Sequence, residues 1–194
     1  MLKIINAKTP HELKKLSNEM FKVSINDGFV PDLVIGIANG GKLVVDQIDL
    51  DPNIISTAIK KQRQGTVVKQ RFKAKKILPH LPEFVNNALR RVEVFARETR
   101  YKRANEDFTP KAIALPTAII KLINSANSIL IIDDTLDSGW TMAAVIASVQ
   151  EHASSSCTIK SAVINQTFAE PYITADYCLL DRTIIRFPWA DDVK

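Results

Sequence analysis

One run of residues sets the architecture of this chain: Ile129-Leu130-Ile131-Ile132-Asp133-Asp134-Thr135-Leu136-Asp137-Ser138-Gly139-Trp140-Thr141-Met142. Its four leading apolar residues are typical of a strand buried on both faces, and an apolar helix is expected after Gly139. Two carboxylates follow the apolar run, and a turn with hydroxyl groups and a glycine comes next. The sequence thus predicts two acids and a polar turn at one edge of a sheet.

The turn 135–141 has the chemistry of an anion site. Its backbone N–H groups would remain unpaired at the start of the following helix, and Gly139 allows a ligand to approach the backbone closely. Repulsion would keep Asp133 and Asp134 away from a phosphate, so we expect them to face ribose hydroxyls or a hydrated Mg²⁺. A phosphorylated pentose carries both a phosphate and a diol.

The same run resembles the signature of type I phosphoribosyltransferases, which bind 5-phosphoribosyl-1-pyrophosphate (PRPP). The resemblance implies that the acid pair holds the ribose and the loop holds the 5′-phosphate. Asp137 falls where the purine-salvage branch carries an acid facing N7 of the base, so it is the candidate catalytic residue. Trp140 departs from the pattern, because that position is often small or basic. The residues implied for ribose and 5′-phosphate are Asp133, Asp134, Thr135, Leu136, Asp137, Ser138, Gly139, Trp140 and Thr141.

A second strand, glycine turn and helix precede this run. Residues 32–37 predict a short buried strand, and an apolar helix follows the turn. In type I phosphoribosyltransferases a tight loop at this position binds pyrophosphate, although a basic residue often stands where this chain has Asn39. The resemblance assigns to pyrophosphate the residues Ala38, Asn39, Gly40 and Gly41.

The tail 181–191 is similar to the closing segment of xanthine- and hypoxanthine-type purine phosphoribosyltransferases. The resemblance implies that Ile184 covers a face of the base and that the backbone of Ile185 contacts its edge. The alternative for the aromatic residues of the tail, Phe187 and Trp189, is a place in the core or in a dimer interface. A homodimer is therefore possible.

The resemblance also implies an Mg²⁺ cofactor, with Asp133, Asp134 and Asp191 as candidate ligands. One departure leaves the acceptor base open. The 6-oxopurine enzymes place a Lys after the strand that follows the signature helix. In this chain the corresponding residues, 165–167, are Asn-Gln-Thr. A neutral amide can hydrogen-bond a base, but it brings no cation to an oxo group.

The length and composition of the chain are those of a globular protein. The chain has 194 residues, 46% hydrophobic and 24% charged, which fits a single globular domain over 1–194. No apolar run approaches the roughly 18 residues of a membrane span, and no signal peptide is evident, so we expect a cytoplasmic protein. Cys157 and Cys178 are expected to be reduced thiols.

Basic residues concentrate in an insertion at about 60–105. Residues 60–103 carry fourteen Lys or Arg and three Glu. One or two of these cations, among Lys60, Lys61, Arg63 or others up to Lys76, are expected to close over pyrophosphate as a lid. The alternative to an enzyme is a regulator with the phosphoribosyltransferase fold. Such a regulator would sense PRPP or a nucleotide and bind nucleic acid through this insertion.

The remaining pattern predicts an α/β fold, a parallel twisted sheet flanked by helices, with ligands at its carboxyl edge and a small C-terminal hood-like segment. A capping box at Thr9 begins the first helix. A helix over 81–103 has apolar residues on one face and arginines largely outside it. Further helices are expected at 115–126 and 139–152, and strands at 54–59, 158–166, 177–180 and 183–186. The resemblance implies transfer of the phosphoribosyl group of PRPP to a nitrogenous base, purine-like, with release of pyrophosphate.

Overall fold

The computed structural model describes residues 2–59, 82–104 and 111–189. In these ranges the strands are β1 (Lys3–Asn6), β2 (Leu33–Ile37), β3 (Ile55–Ile59), β4 (Ser128–Leu136), β5 (Thr158–Gln166), β6 (Tyr177–Leu180) and β7 (Thr183–Arg186). The helices are α1 (Pro10–Asn26), α2 (Ala38–Val45), α3 (Glu83–Ala104), α4 (Thr117–Ser125) and α5 (Trp140–Gln150). The lid candidates and Asp191 lie outside the described residues.

Five strands form a parallel sheet in the order β3-β2-β4-β5-β6. The chain leaves β2 toward one edge, to β3, and returns on the other side of β2 as β4. Ligands of open α/β sheets bind outside the carboxyl ends of the strands at such a reversal. The expected α/β architecture is confirmed, and its switch point lies between β2 and the strand that carries the acids.

β4 divides the core into two halves. Residues 129–132 are fully buried. Leu130 and Ile132 pack toward Met20 of α1, whereas the other two pack toward Ile123 of α4 and Val145 of α5. Side chains of a strand alternate between its faces, so both faces of β4 are covered, as its apolar run predicts. The strand is longer than expected, because it continues through the acid pair to Leu136.

A second, two-stranded parallel sheet joins the two ends of the chain. β1 pairs with β7, and the register places Lys3 opposite Thr183. The C-terminal strand was predicted, whereas β1 was not. The capping box is confirmed, since the Glu12 N–H donates to Thr9 Oγ1 at 3.2 Å and the Thr9 N–H donates to Glu12 Oε2 at 2.9 Å.

Helix α3 exposes much of its apolar surface. Phe84, Leu89, Val92 and Phe95 are exposed, Phe84 by 74%. An amphipathic helix usually turns its apolar stripe inward, but α3 lies over the polar carboxyl edge of the sheet. The face that it turns toward the protein is therefore mixed, since its buried residues are Asn86, Val94, Glu98 and Tyr101.

None of the helices in the ranges that the structure describes is long and apolar enough to cross a membrane.

Two glycines let α2 lie directly against β4. A Cβ on Gly41 would clash with the backbone carbonyl of Ile132, and a Cβ on Gly40 would come within 2.5 Å of the Asp134 carboxylate. The helix begins at Ala38, so both glycines lie in its first turns rather than in a preceding loop. Ala38 itself has φ 50°, a left-handed conformation that non-glycine residues rarely adopt.

We expect Gly41→Ala to destabilise the protein by about 3 kcal/mol, because neither contacting backbone can move without disturbing the sheet. Gly28→Ala is the control, since Gly28 has φ 82° and open space around its Cα. Its cost is the left-handed backbone alone, about 1 kcal/mol. Urea denaturation of both variants measures the difference. An equal or smaller loss at Gly41 would contradict close packing of α2 on β4.

Candidate functional site

A cleft of about 1780 Å³ opens at the carboxyl ends of β2 and β4, with α3 on its far side. Its walls include all the described candidate residues except Gly41, which packs behind it. The candidates that line it are Ala38, Asn39, Gly40, Asp133, Asp134, Thr135, Leu136, Asp137, Ser138, Gly139, Trp140, Thr141, Ile184 and Ile185. The fold therefore gathers candidates from three distant parts of the sequence.

The acid pair lies in the floor of this cleft. Asp133 Oδ1 accepts the Asp134 N–H at 2.9 Å, and Asp134 Oδ1 accepts the Thr135 N–H at 2.9 Å. Burial raises the pKa of Asp133 well above its usual value, and repulsion from Asp134 adds to the increase. Burial also raises the pKa of Asp134, with a further contribution from the charge of Asp137. A cation or hydroxyl donors would relieve this repulsion.

The loop after β4 leads directly into α5. Gly139 has φ 78° and is the N-cap, and α5 begins at Trp140. A Cβ on Gly139 would come within 2.7 Å of the Ile173 carbonyl oxygen, and the Ser138 carbonyl accepts the Tyr172 N–H at 2.8 Å. The chain at 172–173 thus fixes the loop. The start of α5 directs N–H groups toward the cleft, an arrangement suited to an anion.

Asp137 is held from two sides. Nη2 of Arg97, on α3, donates to its Oδ2, and Oγ1 of Thr167, just after β5, donates to its Oδ1. Sequence reasoning missed both partners. The available signal was the helical spacing of Arg90, Glu93, Arg97 and Arg100, which places these residues on one face of α3 toward the cleft.

The side-chain amides of Asn165 and Gln166 make hydrogen bonds within the protein. Asn165 is fully buried, with Oδ1 accepting from Thr135 Oγ1 at 2.8 Å and Nδ2 donating to the Thr183 carbonyl at 2.8 Å. Gln166 Nε2 donates to the Phe168 carbonyl at 3.0 Å. These contacts connect β5 to β4, β7 and the next loop. The suggestion that a neutral amide here meets the base is therefore not favoured.

Trp140, the departure from the signature, packs against α3. Its ring lies 5.4 Å from that of Tyr101 in an edge-to-face arrangement, and Tyr101 lies 5.5 Å from Phe168. Ile184 is buried in the same cluster. This contact between the phosphate loop and α3 explains a large residue at position 140. Whether Ile184 and Ile185 contact a base stays a prediction.

The C-terminal aromatic residues lie together beside the cleft. The rings of Phe187 and Trp189 stack with centroids 4.8 Å apart. Phe187 is buried in the core, whereas Trp189 is partly exposed and lines the cleft.

The part of the chain that the structure describes offers few ligands for a metal ion. Among the described residues no group of three or more His, Cys, Asp or Glu side chains is arranged to hold one. Asp133 and Asp134 are two adjacent carboxylates, which suits Mg²⁺ bound mainly through oxygens of a ligand and water. Their raised pKa values show that positive charge would be favourable there.

Helix α3 is anchored by an ion pair between buried Glu98 and half-buried Arg182. Glu98 accepts from Arg182 Nη1 at 3.1 and 3.2 Å and from the Ala169 N–H at 2.8 Å. Arg182 Nη1 also donates to the Thr167 carbonyl at 2.7 Å. The pair connects α3 to both segments that border the Asp137 side of the cleft. It therefore holds the turn of α3 that carries Arg97.

Comparison with known proteins identifies the fold. No protein-family model and no curated protein matches the chain. Among solved structures, a purine phosphoribosyltransferase from Pyrococcus horikoshii Ot3 is 17% identical, with 96% of this chain and 93% of that chain covered and a TM-score of 0.52. The xanthine-guanine-hypoxanthine phosphoribosyltransferase of Helicobacter pylori is 17% identical, with 96% and 92% covered and a TM-score of 0.50.

A hypothetical protein from Neisseria gonorrhoeae with bound ppGpp is 15% identical, with 97% of this chain and 90% of that chain covered and a TM-score of 0.51. At these identities the likeness shows the fold. The expected fold of type I phosphoribosyltransferases is confirmed.

We expect Glu98→Ala to destabilise the protein by about 2 kcal/mol, because it leaves the Ala169 N–H without its acceptor and removes the negative partner of Arg182. The control is Lys102→Ala, which removes an exposed ion pair between α3 and Glu170 and should cost less than about 0.5 kcal/mol. Chemical denaturation gives both values. Equal losses would show that Glu98 does not anchor the helix.

Asp133→Asn is expected to raise the Tm of the ligand-free protein at neutral pH. A raised pKa means that ionised Asp133 costs stability above that pKa, and this cost disappears as the pH falls below the ordinary value of 3.8. The gain should therefore shrink on acidification. Asp49→Asn is the contrast, since a hydrogen bond from Lys14 lowers the pKa of Asp49. A lower Tm for Asp133→Asn at neutral pH would contradict the account.

Proposed function

We propose that this chain is a phosphoribosyltransferase that transfers the 5-phosphoribosyl group of PRPP to a nitrogenous base, purine-like, and releases pyrophosphate. One observation carries the proposal. An acid pair with raised pKa values and the start of α5 line the same cleft at the switch point of the sheet. A ligand with a diol and a phosphate at opposite ends of a pentose meets both requirements.

In this proposal the acid pair accepts hydrogen bonds from the 2′- and 3′-hydroxyls of the ribose. Residues 135–141 bind the 5′-phosphate through backbone N–H groups and hydroxyls. Residues 38–40 bind pyrophosphate at the other end of the sugar, and Gly41 packs α2 against β4 behind them. The strained backbone of Ala38 supports this assignment, because such strain persists where the surrounding structure imposes it and is frequent at ligand sites.

The reaction breaks the bond between C1′ and the pyrophosphate oxygen and forms a bond between C1′ and a ring nitrogen of the base. Asp137 takes, or hydrogen-bonds, the proton of the base as positive charge develops on the anomeric carbon. Mg²⁺, held by Asp133 and Asp134 and by ligand oxygens, would neutralise the leaving pyrophosphate. The protein then acts mainly by positioning and by electrostatics.

Thr167 supports the role of Asp137, because its hydroxyl orients one carboxylate oxygen and leaves the other toward α3. The side chain of Asp137 is 24% exposed, so a base in the cleft can reach it.

The direct test mixes the protein with Mg²⁺, PRPP and a panel of purine and pyrimidine bases and measures pyrophosphate release. At least one base should support turnover, and Asp137→Asn should lower the rate by about 100-fold or more, the usual contribution of a positioned acid or base. Asp49→Asn serves as the matched control, because Asp49 is an exposed aspartate that does not line the cleft. Absence of turnover with every base, together with salt-sensitive RNA binding, would favour the regulatory alternative instead.

A further inference from the structure

The outward face of α3 carries a continuous uncharged strip, which we call the α3 seam. Its residues recur at intervals of three or four, so they lie on one face of the helix. Two of them, Phe84 and Phe95, are 74% and 69% exposed, and Val92 between them is 65% exposed. The seam consists of Phe84, Ala88, Leu89, Val92, Phe95 and Ala96.

The area of the seam is large for a surface that faces water. If a phenylalanine side chain has about 200 Å², the two phenylalanines alone expose roughly 280 Å². With Leu89 and Val92 the exposed apolar area is on the order of 450 Å², whereas monomeric proteins rarely expose patches above a few hundred. Two such seams in contact would bury about 900 Å² before any rim residue is counted, close to the roughly 1,000 Å² that a specific interface needs.

The charges of α3 are directed away from the seam. Arg91 Nε donates to the Leu2 carbonyl at 3.2 Å, and Lys102 pairs with Glu170 at 3.1 Å. Three further cations line the cleft instead: Arg90, Arg97 and Arg100. A nucleic acid or an acidic membrane would be held by cations beside the apolar strip. Five of the six Lys and Arg residues of this helix point elsewhere, which favours an apolar, uncharged occupant.

The seam is complementary to a second copy of itself. In an antiparallel pair of α3 helices with the twofold axis level with residue 90, Phe84 lies opposite the partner's Ala96. In the same pair Val92 lies opposite the partner's Ala88. Large side chains then meet small ones, which allows two helices to pack closely. The antiparallel arrangement also keeps the basic C-terminal ends of the helices apart and pairs their dipoles favourably.

We infer that the α3 seam is the interface of a homodimer in which the α3 helices of two copies pack antiparallel about a twofold axis. A twofold axis makes the same patch serve both copies, and such dimers are the commonest soluble oligomers. The inference goes beyond the proposed function and does not depend on it. Because the opposite face of α3 carries Arg97 into the cleft, the pairing would support from outside the helix that borders each cleft.

Sedimentation velocity over a concentration series tests the interface. The wild type should be a dimer, and Phe95→Glu should raise its dissociation constant by about 30-fold or more, as expected of a central aromatic residue. Val30→Glu is the matched control, because Val30 is 61% exposed and lies outside α3. It should leave the dimer unchanged. Thermal unfolding shows that each variant is folded, and Phe95→Glu keeps its monomer intact because Phe95 is exposed.

Chemical cross-linking tests the antiparallel register. Leu89 adjoins the axis, so two Leu89→Cys residues would lie about 3 Å apart along the helix direction, within reach of a short bismaleimide. Two Phe84→Cys residues would be separated by about 18 Å in the same direction and should not link. The wild type measures any linking through Cys157 and Cys178.

Four results would overturn the inference. The first is a wild type that stays monomeric up to about 100 μM, where even a weak complex forms. The second is a dimer that Phe95→Glu leaves intact, because another face would then form the interface. The third is linking of Phe84→Cys but not of Leu89→Cys. The fourth is a monomer that binds phosphatidylserine vesicles through Phe95, or that Phe95→Glu destabilises because another segment of the chain covers the seam.

Discussion

The crowding of carboxylates at the end of β4 is the constraint on which the rest of the structure depends. Asp133 and Asp134 adjoin the glycine turn of α2, and burial raises both pKa values, with repulsion from Asp134 adding to the increase at Asp133. A fold selected for stability alone would place neutral side chains there. The cost is understandable if a ligand that donates hydrogen bonds or carries a cation completes the site. Gly40 and Gly41 follow from the same requirement, since any side chain would push α2 away from the acids.

Helix α3 supplies positively charged side chains to the cleft. The carboxyl ends of β4 and β5 bring acids, hydroxyls and engaged amides to the cleft, whereas α3 brings arginines. The inward face of this helix carries both apolar and polar residues, and the Glu98–Arg182 pair and the Tyr101–Trp140 contact hold it in place. The exposed Phe84 and Phe95 are the consequence of that orientation.

The sequence predicts those parts of the molecule that short-range chemistry determines. The capping box at Thr9 and the apolar run of β4 are each determined by residues that are close together in the sequence. β1 does not, because Lys3–Asn6 is a strand only through its pairing with β7 at the opposite end of the chain. Most of the candidate residues could also be identified from the local sequence, since they lie at or just after the ends of two predicted strands.

The contacts around Asp137 and Asn165 could not be predicted from the sequence, because they join residues far apart in the chain. Arg97 meets Asp137 across 40 residues, and Asn165 meets Thr135 across 30. Sequence alone treats Asn165 as an available amide and Arg97 as one cation among many. Only the packing of α3 over the sheet shows that the amide is internal and that the arginine faces the site.

The central claim is that the acid pair binds the pentose of PRPP, and loss of binding on removal of one carboxylate tests it most directly. Asp133→Asn keeps the shape of the side chain and removes its charge. Calorimetric titration of PRPP with Mg²⁺ into the wild-type protein and into this variant measures both affinities. The account predicts that the wild type binds PRPP and that the variant binds it more weakly. Absence of binding by the wild type, or equal affinity of the two proteins, would contradict it.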